Sequence, residues 1–369
     1  MKKILLIAKK GLANISTLIN IAKEEKAKNY QIKFFIDDYG DIYDPGRRMI
    51  KALGFDLHDG LYTGFDDSVG GLLDLINYYL PDIIVNESSI TGGIAAKITR
   101  VSKYYPILRR FDFPGYIRNP TEEEYWKSYY ADEIEPVLRK YSKKKISDPR
   151  ELMIDKTVFV PSVEQFDVLP KNFSSKINRI FLGPKLWDVG DIPPITQEWL
   201  DEAKRSQVPI VLISFGFNYD GQEFLSPLLS VAERCNYKML ITYHNPEVFK
   251  DKYDPTQCHI AQIIPLRYVS QFCNVMVHHG GYQTSLVGLV NGIPTVTIST
   301  GNPEWEENGY LLESIGTSLH SRIPNIYSVL SYIESAINNS SLKLANQVMS
   351  KYIDQFKGSV SFFDEIESG

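Results

Sequence analysis

Short apolar, β-branched runs alternate along the chain with longer segments in which apolar positions recur three and four residues apart. In the first half the short runs fall at residues 4–8, 32–36, 83–86, 157–160 and 180–182. In the second half they fall at 210–215, 238–243, 260–264, 275–278 and 295–298. They lack a polar face and are bounded by turn residues, which predicts parallel strands buried on both sides. Helical periodicity occupies 68–80, 221–235, 282–291 and 304–315 between them. Alternation of this kind predicts an α/β fold built of doubly wound, Rossmann-like layers.

A chain of 369 residues exceeds what one hydrophobic core usually supports, so two domains are expected. The sharpest change of composition is at 182–208, where Gly183-Pro184, Gly190 and Pro193-Pro194 precede a new buried run. This predicts a first domain over 1–185, a linker over 186–207 and a second domain over 208–344. A helix-rich stretch at 121–145 ends in Arg139-Lys140 and Lys143-Lys144-Lys145, a solvated helix end that the helix dipole favours. Hydrophobic content of 43% and charged content of 23% are those of a globular protein. A net charge of −5 gives no general attraction to nucleic acid or anionic membrane. Cys235, Cys258 and Cys273 are odd in number and lack metal-ligand spacing, which predicts reduced core residues of a cytoplasmic protein. Lys9-Lys10 interrupts the apolar start, so that start reads as a strand and not a leader. No stretch reaches the roughly twenty apolar residues of a membrane span.

The chemistry concentrates at 274–316. A buried run ends in His278-His279, passes through Gly280-Gly281 and enters a helix that begins with Gln283, Thr284 and Ser285. Paired glycines admit a ligand close to the backbone. A helix start offers N–H groups and positive dipole character, and His279 with the two hydroxyls adds donors. The combination predicts a diphosphate cradle, with a tight strand–helix turn needing glycine for geometry alone as the alternative. His278 reads as packing within its strand end.

Residues 277–285, followed by Gly292-Ile293-Pro294, resemble the donor-site signature of the UDP-dependent glycosyltransferases and their bacterial antibiotic- and lipid-modifying relatives. Pro265 precedes His279 by that family's usual interval. Ser214-Phe215-Gly216 resembles the loop after the first donor-domain strand, and 304–316, with Asn308, the segment that grips the sugar. The resemblance is specific over about 210–316 and architectural before it. It implies a GT-B fold, two Rossmann-like domains facing a central cleft, with the acceptor on the first and the donor on the second. It also implies that a closing helix at about 345–369 packs back onto the first domain. The implied reaction is inverting transfer from a nucleotide-sugar, a UDP-sugar foremost, without cofactor or metal. No Asp-x-Asp triplet of metal-dependent transferases occurs.

The departures are specific. Ile263, beside Ile264, replaces an aromatic residue of the nucleobase region, and Val287 stands where the family has a ribose-binding glutamate. Glu304-Trp305 replaces the Asp-Gln pair that holds the donor sugar. The family's catalytic histidine is absent from the first loop, which here reads Gly11, Leu12, Ala13, Asn14. Glu87, ending the 83–86 run, is the substitute base, with Asp112 second; the alternative is a solvated or helix-capping Glu87. His58, His244, His259 and His320 read as surface or core residues. On the acceptor side, aromatic and basic residues interleave at 104–118, and Tyr125, Trp126, Tyr129 and Tyr130 cluster. They suit a glycan, small-molecule or lipid-linked acceptor, or simply helix packing with a charged rim. Peripheral contact with the inner membrane face and homo-oligomerisation stay open, and no nucleic-acid partner is expected. Two other functions stay open as well. One is a catalytically silent nucleotide-sugar binder or partner activator; the other is an epimerase or hydrolase on the same fold.

Overall fold

The apolar runs all become parallel strands, the run at 260–264 with its pairing set earlier in the chain. The computed structural model describes every residue except 41–43, 100, 142–144, 170–176, 187–189, 217, 218, 220, 324, 357–360 and 369. Lys143, Lys144 and, within the expected closing helix, residues 357–360 and 369 therefore lie outside the described residues.

The chain divides into two units. The first holds Met1–Lys185 and the closing helix Phe362–Ser368; the second begins at Leu186. The first sheet contains β1 (Lys2–Lys9), β2 (Tyr30–Asp37), β3 (Asp56–Leu57), β4 (Ile83–Glu87), β5 (Lys103–Ile107), β6 (Thr157–Val160) and β7 (Asn178–Phe181), in the order β3-β2-β1-β4-β5-β6-β7. The second contains β8 (Ile210–Ser214), β9 (Lys238–Thr242), β10 (Cys258–Ala261), β11 (Val275–His278), β12 (Thr295–Ile298) and β13 (Ser318–Ser321), in the order β10-β9-β8-β11-β12-β13. In each unit the order reverses beside the first strand, between β1 and β4 and between β8 and β11. Ligand sites of open α/β sheets lie at the carboxyl ends of strands at such a reversal.

Three strands escape the apolar pattern, each for a physical reason. β3 is two residues long, β5 carries Pro106, and β13 is a polar Ser-Leu-His-Ser at a sheet edge. The expected linker contains a helix, Pro194–Arg205, which buries Thr196, Trp199, Leu200 and Ala203 on one face. Pro193-Pro194, read as a breaker, instead opens this helix, since proline is tolerated in a first turn whose N–H lacks a helical partner anyway. The 121–145 stretch is a helix, Pro120–Tyr129, a wide π-turn, Tyr130–Ile134, and a helix, Glu135–Lys140. Among the described residues no helix is long and apolar enough to cross a membrane.

The expectation for 345–369 needs correction. Helix Ser340–Asp354 belongs to the second unit, where Ser350 Oγ donates to the Val290 carbonyl at 2.7 Å. Only Phe362–Ser368 completes the first unit. The Phe362 ring lies 4.9 Å from that of Phe159, and Phe363 lies 5.1 Å from Tyr30. Tyr30 hydroxyl donates to Glu367 at 2.7 Å. Tyr30→Phe should therefore cost about 1 kcal/mol in chemical denaturation, the net worth of one such bond; an unchanged midpoint would mean that this bond adds nothing to the docking of the closing helix.

Candidate functional site

β11 is buried throughout, and its last residue, His278, pairs in register with Ser214 at the end of β8. The two loops leaving this reversal point are thereby brought side by side. After His279 the chain turns through Gly280 at φ 87°, a left-handed conformation that a side chain disfavours. A Cβ there would also overlap the Trp305 carbonyl oxygen. Gly281 then caps helix Tyr282–Asn291 without a side-chain bond, and Ser285 N–H donates back to its carbonyl at 2.9 Å. The helix start, with its positive dipole end, is the next thing the chain presents.

His279 is where the two loops meet. A Cβ on Gly216 would come within 3.3 Å of its Cε1, and one on Gly281 within 2.6 Å of its Nε2. Its ring stands edge-on to Trp305 at 4.3 Å and lies along Tyr219 at 6.3 Å. Burial lowers its pKa to about 4, so the imidazole is neutral at pH 7. Its Nδ1 and the Ser285 hydroxyl are both buried, and neither has a hydrogen-bond partner among the described residues. Orphaned polar atoms cost about 1–3 kcal/mol each, and a ligand would satisfy them. Thr284 is buried beside them and Gln283 is half-buried. Ser214 accepts from Thr242 Oγ1 at 2.9 Å, so its hydroxyl braces the strand ends.

The flanking positions differ in what they offer. Ile263 is 41% exposed, whereas Ile264 and Val287 are buried. Val287 gives a ribose no hydrogen bond. Asn302 caps helix Pro303–Ser314 by accepting from the amides of Glu304 and Trp305 at 3.0 and 3.3 Å. Glu304 is half-buried in the first turn, and Trp305 is a wall for His279. The neighbouring Glu306, which sequence reasoning missed, holds the loop after β12. Its Oε1 accepts from the amides of Thr300 and Gly301 at 2.8 and 3.2 Å, and its Oε2 lies 3.2 Å from Nε2 of His320.

In the first unit Glu87 ends β4 beside Ala8 of β1. Its side chain is fully buried, not solvated, and Oε1 accepts from Arg109 Nη2 at 2.9 Å. Oε2 has no hydrogen-bond partner among the described residues. Burial raises the carboxyl to about 7; Arg109 pulls it down, and Asp112 pushes it further up. Asp112 accepts from Ser88 Oγ at 2.7 Å and from the Arg109 amide at 3.0 Å through one oxygen, and so shapes the loop. In the first loop Gly11 adopts φ 134°, Leu12 and Ala13 are half-buried, and Asn14 Nδ2 donates to the Lys9 carbonyl at 3.2 Å. Asp37, also missed, ends β2 and accepts from Ser68 and Ser89 at 3.1 and 2.7 Å; burial raises its carboxyl above the ordinary value. The signal was available: Asp37 closes its strand as Glu87 does.

The basic residues of 104–118 are largely internal braces and not a rim. Arg109 is 5% and Arg110 0% exposed, and Arg110 N–H donates to Asp167 at 2.8 Å. Tyr125 is exposed and stacks on Tyr129 at 5.8 Å; Tyr129 shares a 2.9 Å hydroxyl contact with Tyr39. Trp126 lies 4.8 Å from the Arg150 guanidinium, and Tyr130 is buried.

No protein-family model matches the chain. It is 23% identical over 354 residues to an uncharacterized glycosyltransferase of Methanosarcina mazei, covering 86% of this chain and 84% of that one. Among solved structures, spinosyn forosaminyltransferase SpnP aligns with TM-score 0.78 at 17% identity, covering 100% of this chain and 98% of its own. Glycosyltransferase VinC in complex with dTDP aligns with TM-score 0.72 at 13% identity, covering 96% of each chain. In sequence the chain is thus similar to a glycosyltransferase along most of its length, and its two doubly wound sheets have the fold of these solved glycosyltransferase structures.

Proposed function

We propose that this protein transfers a sugar, with inversion and without a metal ion, from a nucleotide diphosphate sugar to an acceptor hydroxyl. One observation carries the reading. At the β8/β11 reversal, a glycine turn into a helix start is flanked by two buried polar atoms, His279 Nδ1 and Ser285 Oγ, that have no hydrogen-bond partner among the described residues. A diphosphate across that start would take bonds from the backbone and from these side chains, and the dipole would stabilise it as it leaves. VinC was solved with dTDP, so dTDP joins UDP as the base to test. In the transfer step the acceptor oxygen bonds to the anomeric carbon as the bond from that carbon to the diphosphate breaks. Glu87 Oε2 takes the acceptor proton, a role that suits a carboxyl raised to about 7.

The experiment is calorimetric titration with UDP and dTDP in the presence of a chelator, followed by mass-spectrometric detection of sugar transfer from the matching nucleotide-sugar. Binding of one diphosphate and transfer of its sugar are expected. His279→Ala should weaken that binding about tenfold, the worth of one hydrogen bond to a charged group, with little change in melting temperature. Unaltered affinity in that variant would remove His279 from the site. The buried Val287 and the Trp305 wall favour a second reading, a silent nucleotide-sugar binder, which would show the binding and no transfer.

A further inference from the structure

We propose that His278 and Asn308 are positioning residues that grip the Gly280 peptide from its two sides and so aim the diphosphate loop. The inference rests on reading that loop as the donor cradle. Gly280 N–H donates to Nδ1 of His278 at 3.1 Å, and the Gly280 carbonyl accepts from Nδ2 of Asn308 at 2.7 Å. Both side chains are completely buried. Gly280 is the left-handed residue between β11 and the helix, and glycine is the residue with the most backbone freedom. A rotation there would swing His279 and the helix start apart. Bonds to both its N–H and its C=O remove that rotation.

The chemistry of His278 fits this task and no simpler one. Nδ1 accepts only while the ring is neutral with its proton on Nε2. Burial, with His279 and His320 nearby, pushes His278 down to about 3, so the accepting lone pair persists across the neutral range. Nε2 is buried without a hydrogen-bond partner among the described residues. An apolar residue would fill the same strand end without that cost, so the Nδ1 bond is what the histidine adds. Asn308 reaches Gly280 from helix Pro303–Ser314, whose Trp305 carbonyl oxygen lies against the same glycine. The grip therefore ties the loop after β11 to the segment after β12.

The test uses the full chain and three variants. His278→Leu removes the acceptor, His278→Asn offers an oxygen near the Nδ1 position, and Asn308→Asp replaces the donor with an acceptor. Hydrogen exchange of the amides at 279–284 and titration with UDP and dTDP are the two readouts. Exchange over 279–284 should quicken at least about tenfold in His278→Leu and Asn308→Asp, with the rest of the second sheet unchanged. Diphosphate affinity should fall about tenfold in both variants as the loop loses its aim. His278→Asn should stay within about threefold of the parent in both readouts. Parent-like exchange in His278→Leu, or no rescue by Asn, would overturn the proposal. If His278→Leu does not fold, parent-like exchange in Asn308→Asp would overturn it instead. If the parent protein binds neither diphosphate, the donor reading falls and the exchange rates alone decide the grip.

Discussion

Glu87→Gln should slow sugar transfer by about 10²–10⁴-fold, the usual contribution of a general base, while diphosphate binding persists. The amide has the carboxyl's shape and can keep an oxygen toward Arg109, but it cannot take a proton. In the parent, kcat/KM should rise with pH through an inflection near 7, where Glu87 loses its proton, and the variant should lose that inflection. Stability should move the other way. The carboxyl titrates near 4.5 when unfolded and near 7 when folded, so between these values the folded chain holds a proton that the unfolded chain has released. The resulting stabilisation, of order a few kcal/mol, is complete below about pH 4.5 and fades as pH rises through 7. Glu87→Gln should flatten this slope in denaturation curves taken from pH 5 to pH 8. A variant with parent-like turnover would exclude Glu87 as the base, and an unaltered stability slope would mean that another group supplies it.

Gly280→Ala should cost about 3–4 kcal/mol and abolish diphosphate binding. A side chain at φ 87° costs roughly 1–2 kcal/mol by itself. The added Cβ also meets the Trp305 carbonyl oxygen, a main-chain atom that no rotamer change can withdraw. Relief of that overlap must displace the helix that walls His279, an overpacking cost of about 1–3 kcal/mol. The second unit should melt about 10 °C lower, as expected for a unit of its size. Gly281→Ala is the contrast. Its φ of −57° accepts alanine, and the three atoms nearest the new Cβ all belong to the His279 ring, a side chain that can shift where main chain cannot. That variant should keep its melting temperature and lose about tenfold in affinity as His279 moves, the scale set by one charge-assisted bond. Parent-like melting and binding in Gly280→Ala would contradict the tight packing at this turn.

What the chain revealed in advance was local. Strands buried on both faces are built mainly of apolar and β-branched residues, so β6, β11 and β12 were legible to their last residues, and glycines bound helix Tyr282–Asn291 on both sides. The glycine pair and His279 were legible because their chemistry is contiguous. The contacts that organise the site are not. Asn308 lies 28 residues from the carbonyl it holds, and Arg109 lies 22 residues from Glu87. Charge in a loop reads as solvated until such a partner is known, which is why Arg109 and Arg110 passed for a rim and Glu87 had a solvated alternative. Glu306 was hidden differently: it stands beside the family pair at 304–305, two of its partners are backbone amides that any residue could supply, and the third, His320, lies 14 residues on.

The docking of Phe362–Ser368 beside Tyr30, Tyr105 and Phe159 makes the first unit discontinuous in the chain. During synthesis the ribosome must make all of the second unit before this helix emerges. Until then the nascent first unit carries an uncovered aromatic seam formed by those three rings. The second unit, read from one uninterrupted stretch, is free to finish folding earlier, so a stalled or prematurely terminated product would hold a finished second unit and a sticky, unfinished first one.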